Sequence, residues 1–202
     1  MGKINFTEMS FEEKKKWMMY IGFGLAGLIL IFYFFGFSYI WNTEYGSEAG
    51  VSGWGYIFAC IGWEFKSPNK VFGQLSGPFN LYAKYFARVL AVFALVSFIT
   101  LIVYIVLNIL NARKFSKKLE KAIMIILYVL VGAFLGCIIV ALAMNASRII
   151  PKYCGGNKKC SIHTLAFFPF FFTLAVAILH TVFICKNKEE IENESASNAS
   201  YN

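Results

Sequence analysis

The side chains with the most versatile chemistry in this 202-residue chain are its five cysteines. Cys154 and Cys160 are separated by five residues that begin with Gly-Gly, so the backbone between them can turn and close a local loop. Extracytoplasmic compartments permit disulfides, and we predict a structural Cys154–Cys160 bridge. Cys185 stands beside a lysine at the end of an apolar run, where we weigh palmitoylation against an inert thiol.

Redox catalysis is the sharper alternative for the cysteine pair, as in four-helix quinone-linked thiol oxidases. That chemistry needs closely spaced thiols of low pKa and a second pair, whereas the chain has no C-x-x-C and Cys60 stands alone. Zinc is disfavoured because Cys154, Cys160 and His163 have no familiar ligand spacing. The chain also lacks aspartate. We therefore predict a non-enzyme with no catalytic residue, no metal site and no cofactor.

The elements that position these residues are long apolar runs. The chain is 58% hydrophobic and only 15% charged, with a mean hydropathy of +0.61, which is typical of membrane proteins. Unbroken runs of this length predict transmembrane helices. We predict an all-α membrane protein whose transmembrane domain covers residues 17–185, with spans at 17–41, 89–110, 122–144 and 164–185. Tails at 1–16 and 186–202 flank it, the second one disordered.

Basic residues predict the orientation of the four spans. Lysines precede the first span, and five Lys or Arg residues crowd the short loop 111–121. By the positive-inside rule, both termini are cytoplasmic, and we expect the plasma membrane as the location. The net charge is +8, and the Lys and Arg residues lie in the segments between the spans rather than on one helix face. This placement indicates contact with anionic lipid headgroups and argues against binding to nucleic acid.

The first outer loop, residues 42–88, contains an apolar and aromatic segment from Val51 to Trp63. This segment is too short to cross a bilayer. It could form a strand pair packed on the helix ends within a small extracellular cap, an interfacial helix, or a re-entrant segment. We predict a cap, and we expect it to contact partners through its aromatic side chains, Trp54, Tyr56, Phe58 and Trp63. Lys84 and Arg88 would lie at the outer mouth of span two.

Glycines at helical spacing predict close packing between helices. Gly22, Gly24 and Gly27 match a dinucleotide-binding fingerprint in letters only, because they lie inside an apolar span. Gly132 and Gly136 lie one turn apart in span three. The sequence leaves open whether these faces contact helices of the same chain or of a neighbour. His180 and Asn108 should lie near the cytoplasmic interface and cap or hydrogen-bond a neighbouring helix.

Two short motifs resemble those of claudin-like tetraspan proteins. Gly53-Trp54 followed by Cys60 is similar to the family's first-loop Gly-Leu-Trp…Cys motif, and Ala87-Arg88-Val89-Leu90 is similar to its Ala-Arg-x-Leu. A cysteine pair in the second loop is more like the MARVEL tetraspans. No second cysteine lies between Cys60 and Cys137, where claudins close the disulfide of their extracellular sheet.

The layout and this resemblance imply a protein that acts through protein contacts. We expect a self-associating adhesion or barrier component, or an accessory subunit of another membrane complex. A small oligomeric channel or carrier is the alternative, with Lys84 and Arg88 favouring anions. Thiol–disulfide oxidoreductase activity is the least favoured function.

Overall fold

The computed structural model describes residues 9–34, 36–42, 46–52, 54, 78–146 and 160–200, and their side chains in 9–34, 54, 88–146 and 164–196. Five helices and three strands occur in these ranges. The helices are α1 (Phe11–Phe34), α2 (Pro78–Arg113), α3 (Lys117–Ala146), α4 (Phe167–Lys186) and α5 (Lys188–Ser200). The strands are β1 (Gly36–Asn42), β2 (Gly46–Ser52) and β3 (Cys160–Thr164).

Four helices are long and apolar enough to cross a membrane, namely α1, residues 88–113 of α2, α3 and α4. This confirms the prediction of four apolar spans and is consistent with a multi-pass integral membrane protein. Consecutive helices pack side by side and α4 returns to α1, which makes a four-helix bundle. Its core contains large, fully buried side chains, including Ile29, Tyr33, Leu101, Leu127 and Phe134.

Helix α1 begins at Phe11, inside the segment that the sequence predicted as the N-terminal tail. A capping box explains this start. The Ser10 amide donates to Glu13 Oε2 at 2.9 Å, and the Glu13 amide donates to Ser10 Oγ at 3.4 Å. Each side chain thus satisfies a backbone amide that has no partner within the helix.

The same helix ends at Phe34, although the predicted span continued to Trp41. Its 24 residues reach roughly 36 Å, which already exceeds a hydrocarbon core of about 30 Å. The apolar residues that follow form β1, whose backbone groups pair with neighbouring strands on both sides. The apolar character was predicted correctly, but strand pairing replaces the last turns of helix.

The strands form an antiparallel sheet in the order β2-β1-β3. Because β1 and β2 follow α1 while β3 precedes α4, the sheet joins the first predicted outer loop to the second. It occurs at the end of the bundle where α1 and α3 finish, which we call the sheet end. The opposite end, with Lys14–Lys16, Arg113–Lys121 and Lys186, is the basic end.

A hydrogen-bonded group inside the bundle fixes α1 against α2. The Tyr33 hydroxyl donates to the Ala94 carbonyl at 2.8 Å and also contacts Ser97 Oγ. Ser97 Oγ donates to the same carbonyl at 2.9 Å. All three residues are buried, so these bonds satisfy polar groups that would be costly to leave unpaired there.

The C-terminal tail, which the sequence predicted to be disordered, contains helix α5. Ile191 is only 1% exposed and packs with Met18, Phe115 and Phe183 in a small cluster at the basic end. Glu189 and Glu190 lie in the first turn of α5, where negative charge favours the helix dipole. One anchored isoleucine and these charges explain why a polar segment folds here.

Candidate functional site at the basic end

A buried acid–base pair joins α3 to α4 at the basic end. His180 Nε2 lies 2.8 Å from Glu120 Oε2, and the two side chains are only 6% and 3% exposed. The other carboxylate oxygen of Glu120 accepts a hydrogen bond from Asn111 Nδ2 at 2.6 Å. Three segments of the bundle therefore meet at one carboxylate.

The start of α3 places Glu120 in this position. Ser116 caps the helix, because its Oγ accepts the Leu119 amide at 3.2 Å. Glu120 follows in the first turn, where an acidic group is favourable, and its side chain points into the bundle toward α4. His180 comes from the last two turns of α4, which runs in the opposite direction. Both are thus held by helix backbone rather than by a loop.

A buried carboxylate facing an imidazole can do two things chemically. It can hold two helices together through a charge-assisted contact, and it can present polar atoms to a molecule in a neighbouring cavity. The sequence predicted that His180 could hydrogen-bond a neighbouring helix, and the 3.3 Å bond from its Nε2 to the Glu120 carbonyl oxygen of α3 confirms this. Asn108 instead donates to the Tyr104 carbonyl of its own helix at 2.8 Å.

A cavity of about 390 Å³ lies next to the pair. Glu120 and His180 line it together with Asn108 and Asn111. Basic side chains from α1 and from around the end of α2 also line it, namely Lys15, Lys16, Arg113 and Lys114, together with Glu12 and several apolar residues. The cavity thus places the buried Glu120–His180 pair beside several basic side chains.

Helix α5 borders this cavity through Glu194. Glu194 Oε1 lies 2.5 Å from Lys15 Nζ, and Glu192 pairs with Lys117. The Lys117 amide also donates to Ser195 Oγ at 2.7 Å. Because these partners belong to α1 and α3, α5 connects two helices across the basic end.

The predicted cysteine and outer-loop sites are only partly within the described residues. Cys60, Cys154, Tyr56, Phe58 and Trp63 lie outside them, as do the side chains of Cys160 and Lys84. The Cys154–Cys160 bridge therefore stays a prediction. Cys185 is exposed at the basic end, and Arg88 is exposed near the start of the α2 span. Among the described side chains, no group of three or more His, Cys, Asp or Glu residues could hold a metal ion.

Trp54, predicted as a contact for partners, packs within the chain. Its ring centroid lies 4.9 Å from that of Phe98 and 6.2 Å from that of Tyr33. Phe34 adds a third ring at 5.7 Å. The half-buried indole therefore holds the first loop against α1 and α2.

The glycines predicted for helix packing divide into two groups. A Cβ atom on Gly22 would lie 2.9 Å from Asn108 Oδ1, and one on Gly136 would collide with the Phe93 ring. These two glycines allow close approach within the chain. Gly24, Gly27 and Gly132 have nothing within 4 Å of such an atom and lie on the bundle surface.

Sequence reasoning missed Glu120 and the capping box. Glu120 was counted with a basic loop, although it is the only acidic residue between Ala49 and Glu189 apart from Glu64. An isolated acid beside an apolar span was the available signal for a buried pair. For α1, the pattern Ser10-Phe-Glu-Glu13 was the signal.

Comparison of the chain with known protein families, with curated proteins and with solved structures finds no match. The resemblance to claudin-like and MARVEL-like tetraspans therefore rests on the layout and motifs alone.

Proposed function

We propose that this protein is a non-enzymatic, multi-pass membrane protein that associates laterally, with copies of itself or with another membrane protein, through the outward face of α1. In this proposal the basic end is cytoplasmic and the sheet belongs to an extracellular cap, as the claudin-like resemblance implies. The plasma membrane is its proposed location. The role would be that of an adhesion or barrier component or of an accessory subunit.

The observation that carries the proposal is a shallow depression on α1. Gly24 and Gly27 lie on the surface with open space above them, one turn apart. Tyr20 and Ile31, which are 59% and 55% exposed, lie a further turn away on either side along the same face. In lipid, small residues of this kind let a second helix approach closely, with large neighbours filling the surrounding grooves.

The contrast with Gly22 supports this interpretation. Gly22 belongs to the same glycine cluster but faces Asn108 inside the bundle, so its small size is already explained. Gly24 and Gly27 have no neighbour in the described chain that requires a missing side chain. Close contact with a helix of another chain would explain why these two surface positions are glycine.

The test replaces the outward glycines in the full chain. Gly24→Leu with Gly27→Leu should abolish association, measured as particle mass in mild detergent and as cross-linking in native membranes. Because a Cβ atom at either position would have no neighbouring atom within 4 Å, the variant should fold and melt like the wild type. Gly132→Leu is the matched control on the outward face of α3.

Three results are informative. Loss of association in the α1 variant alone supports the proposal. Loss only in Gly132→Leu assigns the contact to α3 and rejects the α1 face. A wild-type particle whose mass equals one chain, with no co-purifying protein and no cross-link in membranes, rejects association altogether.

A small carrier is the second candidate, and the buried Glu120–His180 pair beside a basic cavity favours it. Ionisable residues facing a cavity at membrane depth often mark ion or proton pathways. Reconstituted vesicles provide the test. Proton or anion flux that disappears in His180→Asn would support a carrier, and vesicles without flux above protein-free controls would exclude it.

A further inference from the structure

A second cavity lies on the outside of the bundle, between α1 and α4 near the basic end. It encloses about 400 Å³ and has apolar walls that include Ile21, Leu179 and Val182. Lys14 and Lys186 stand at its rim, and Asn187 lies beside them. We call this cavity the α1–α4 groove. Gly24 and Gly27 do not line it, so it is separate from the face proposed for association.

The two lysines stand at one level and the apolar walls extend away from them toward the bundle centre. Lys14 precedes Ile21 by seven residues in α1, and Lys186 follows Leu179 by seven residues in α4. Seven helical residues rise roughly 10 Å. Because α1 and α4 run in opposite directions, both cations lie at the outer edge of the groove and both apolar residues about 10 Å deeper.

The charges at the rim are not compensated within the described residues. Lys14 Nζ donates to Asn187 Oδ1 at 3.4 Å, which is a neutral partner. Among the described side chains, no carboxylate lies within 4 Å of either the Lys14 or the Lys186 ammonium group. By contrast, Lys15 has two carboxylate partners and Lys117 has one.

A groove with two unneutralised cations at its mouth and only apolar side chains in its depth matches one kind of molecule. Anionic headgroups are attracted to lysines at the membrane surface, and an acyl chain needs an apolar surface below them. We propose that the α1–α4 groove binds one anionic phospholipid of the leaflet at the basic end. Its phosphate lies between Lys14 and Lys186, and the upper part of one acyl chain packs against Ile21, Leu179 and Val182.

Native mass spectrometry of the detergent-purified full chain, titrated with phosphatidylglycerol or phosphatidylcholine, tests the site. The wild type should bind one phosphatidylglycerol in preference to phosphatidylcholine. Lys14→Gln with Lys186→Gln should weaken that binding by at least about 10-fold. Lys118→Gln with Lys121→Gln removes the same charge from exposed lysines outside the groove and should leave it within about 2-fold of wild type.

A second pair of variants tests the acyl chain without changing charge. Val182→Trp fills the groove, whereas Ile178→Trp introduces the same side chain at an exposed position of α4 that does not line it. Only the first should lose the lipid. The proposal is overturned if the wild type shows no preference, if both lysine pairs lose binding equally, or if Val182→Trp binds as tightly as wild type. Particle mass, measured in parallel, reports separately on association through α1.

Discussion

The two ends of the bundle are closed by different kinds of bond. At the sheet end, β1 pairs with β2 and β3, and the Trp54 ring packs on Tyr33 and Phe98. At the basic end, side chains supply the connections, through the Glu120–His180 pair and the ion pairs of α5. Backbone pairing and aromatic packing close the sheet end, whereas ion pairs close the basic end together with the small apolar cluster around Ile191.

This difference predicts how the stability of each end should respond to pH and to substitution. Backbone hydrogen bonds and apolar contacts do not depend on side-chain protonation, whereas the ion pairs of α5 at the basic end do. Removing one buried charge also leaves its partner unpaired, which costs more than losing an exposed contact. Among the described side chains, we therefore expect the largest single-residue effects, and the pH dependence that ion pairs contribute, at the basic end.

The largest effect is expected from Glu120→Ala. It leaves His180 buried without its acid and Asn111 without its acceptor, and should lower the free energy of unfolding in detergent by about 3 kcal/mol. The second substitution His180→Leu, made in the Glu120→Ala background, should restore part of this loss. Glu189→Ala, at an exposed position of α5, is the control and should be close to neutral. Equal stability of Glu120→Ala and the control would contradict a structural role for the pair.

The second largest loss of stability is expected from Gly136→Ala, which probes α3 in the half of the bundle toward the sheet end. The added methyl group would collide with the Phe93 ring, so the ring has to move or the helices separate, at a cost of about 2 kcal/mol. Gly132→Ala, with open space above it, is the matched control and should keep wild-type thermal stability. If Gly136→Ala left the thermal stability unchanged, the contact between α2 and α3 would have to be looser than in the structure.

Trp54→Ala tests the aromatic contact at the sheet end. Loss of its packing on Tyr33 and Phe98 should cost about 1 kcal/mol, because the indole is only half buried. Trp17→Ala serves as control, since Trp17 is exposed and makes a single edge contact with Tyr20. Thermal unfolding in detergent measures both. If Trp54→Ala keeps full stability but loses association, the ring contacts a partner after all.

The smallest effect concerns the pH dependence of α5. The Lys117 ammonium group holds the pKa of Glu192 below its usual value, through a hydrogen bond and its charge. Because the pKa is lowered in the folded state, the stabilisation is complete above the usual carboxyl pKa of about 4.3 and is lost as pH falls through the lowered value. Amide protection factors of α5 should fall over this acidic range, and Glu192→Gln should lack that step while Glu189→Gln keeps it.

The sequence predicted the four apolar helices because each run is long enough to span a bilayer and carries no charge. It did not predict where α1 stops, since residues 36–42 contain no charged side chain that would mark the end of a span. Strand pairing decides that these residues form β1: β2 follows almost directly in sequence, but the second partner, β3, comes from the distant segment before α4. Local composition cannot report on such partners.

The candidate site was predictable in part. His180 was noticed as a polar residue inside an apolar span, but its partner Glu120 lies 60 positions earlier, and charge counting had assigned that residue to a basic loop. Helix α5 was missed because a single apolar residue, Ile191, anchors it, and one residue gives no periodic signal. Both failures concern contacts between segments rather than the segments themselves.

The pairing of β1 with β3 has a mechanical consequence for the two helices that border the α1–α4 groove. Strand β1 continues from α1 and β3 leads into α4, and their register runs from Ser38 opposite Thr164 to Asn42 opposite Cys160. At the other end, the described contacts between α1 and the end of α4 are made by side chains, through the stacked rings of Phe11 and Phe183 and the bond from Lys14 to Asn187, which caps α4. Any separation of α1 from α4 must therefore begin at the basic end, with the sheet acting as the fixed hinge.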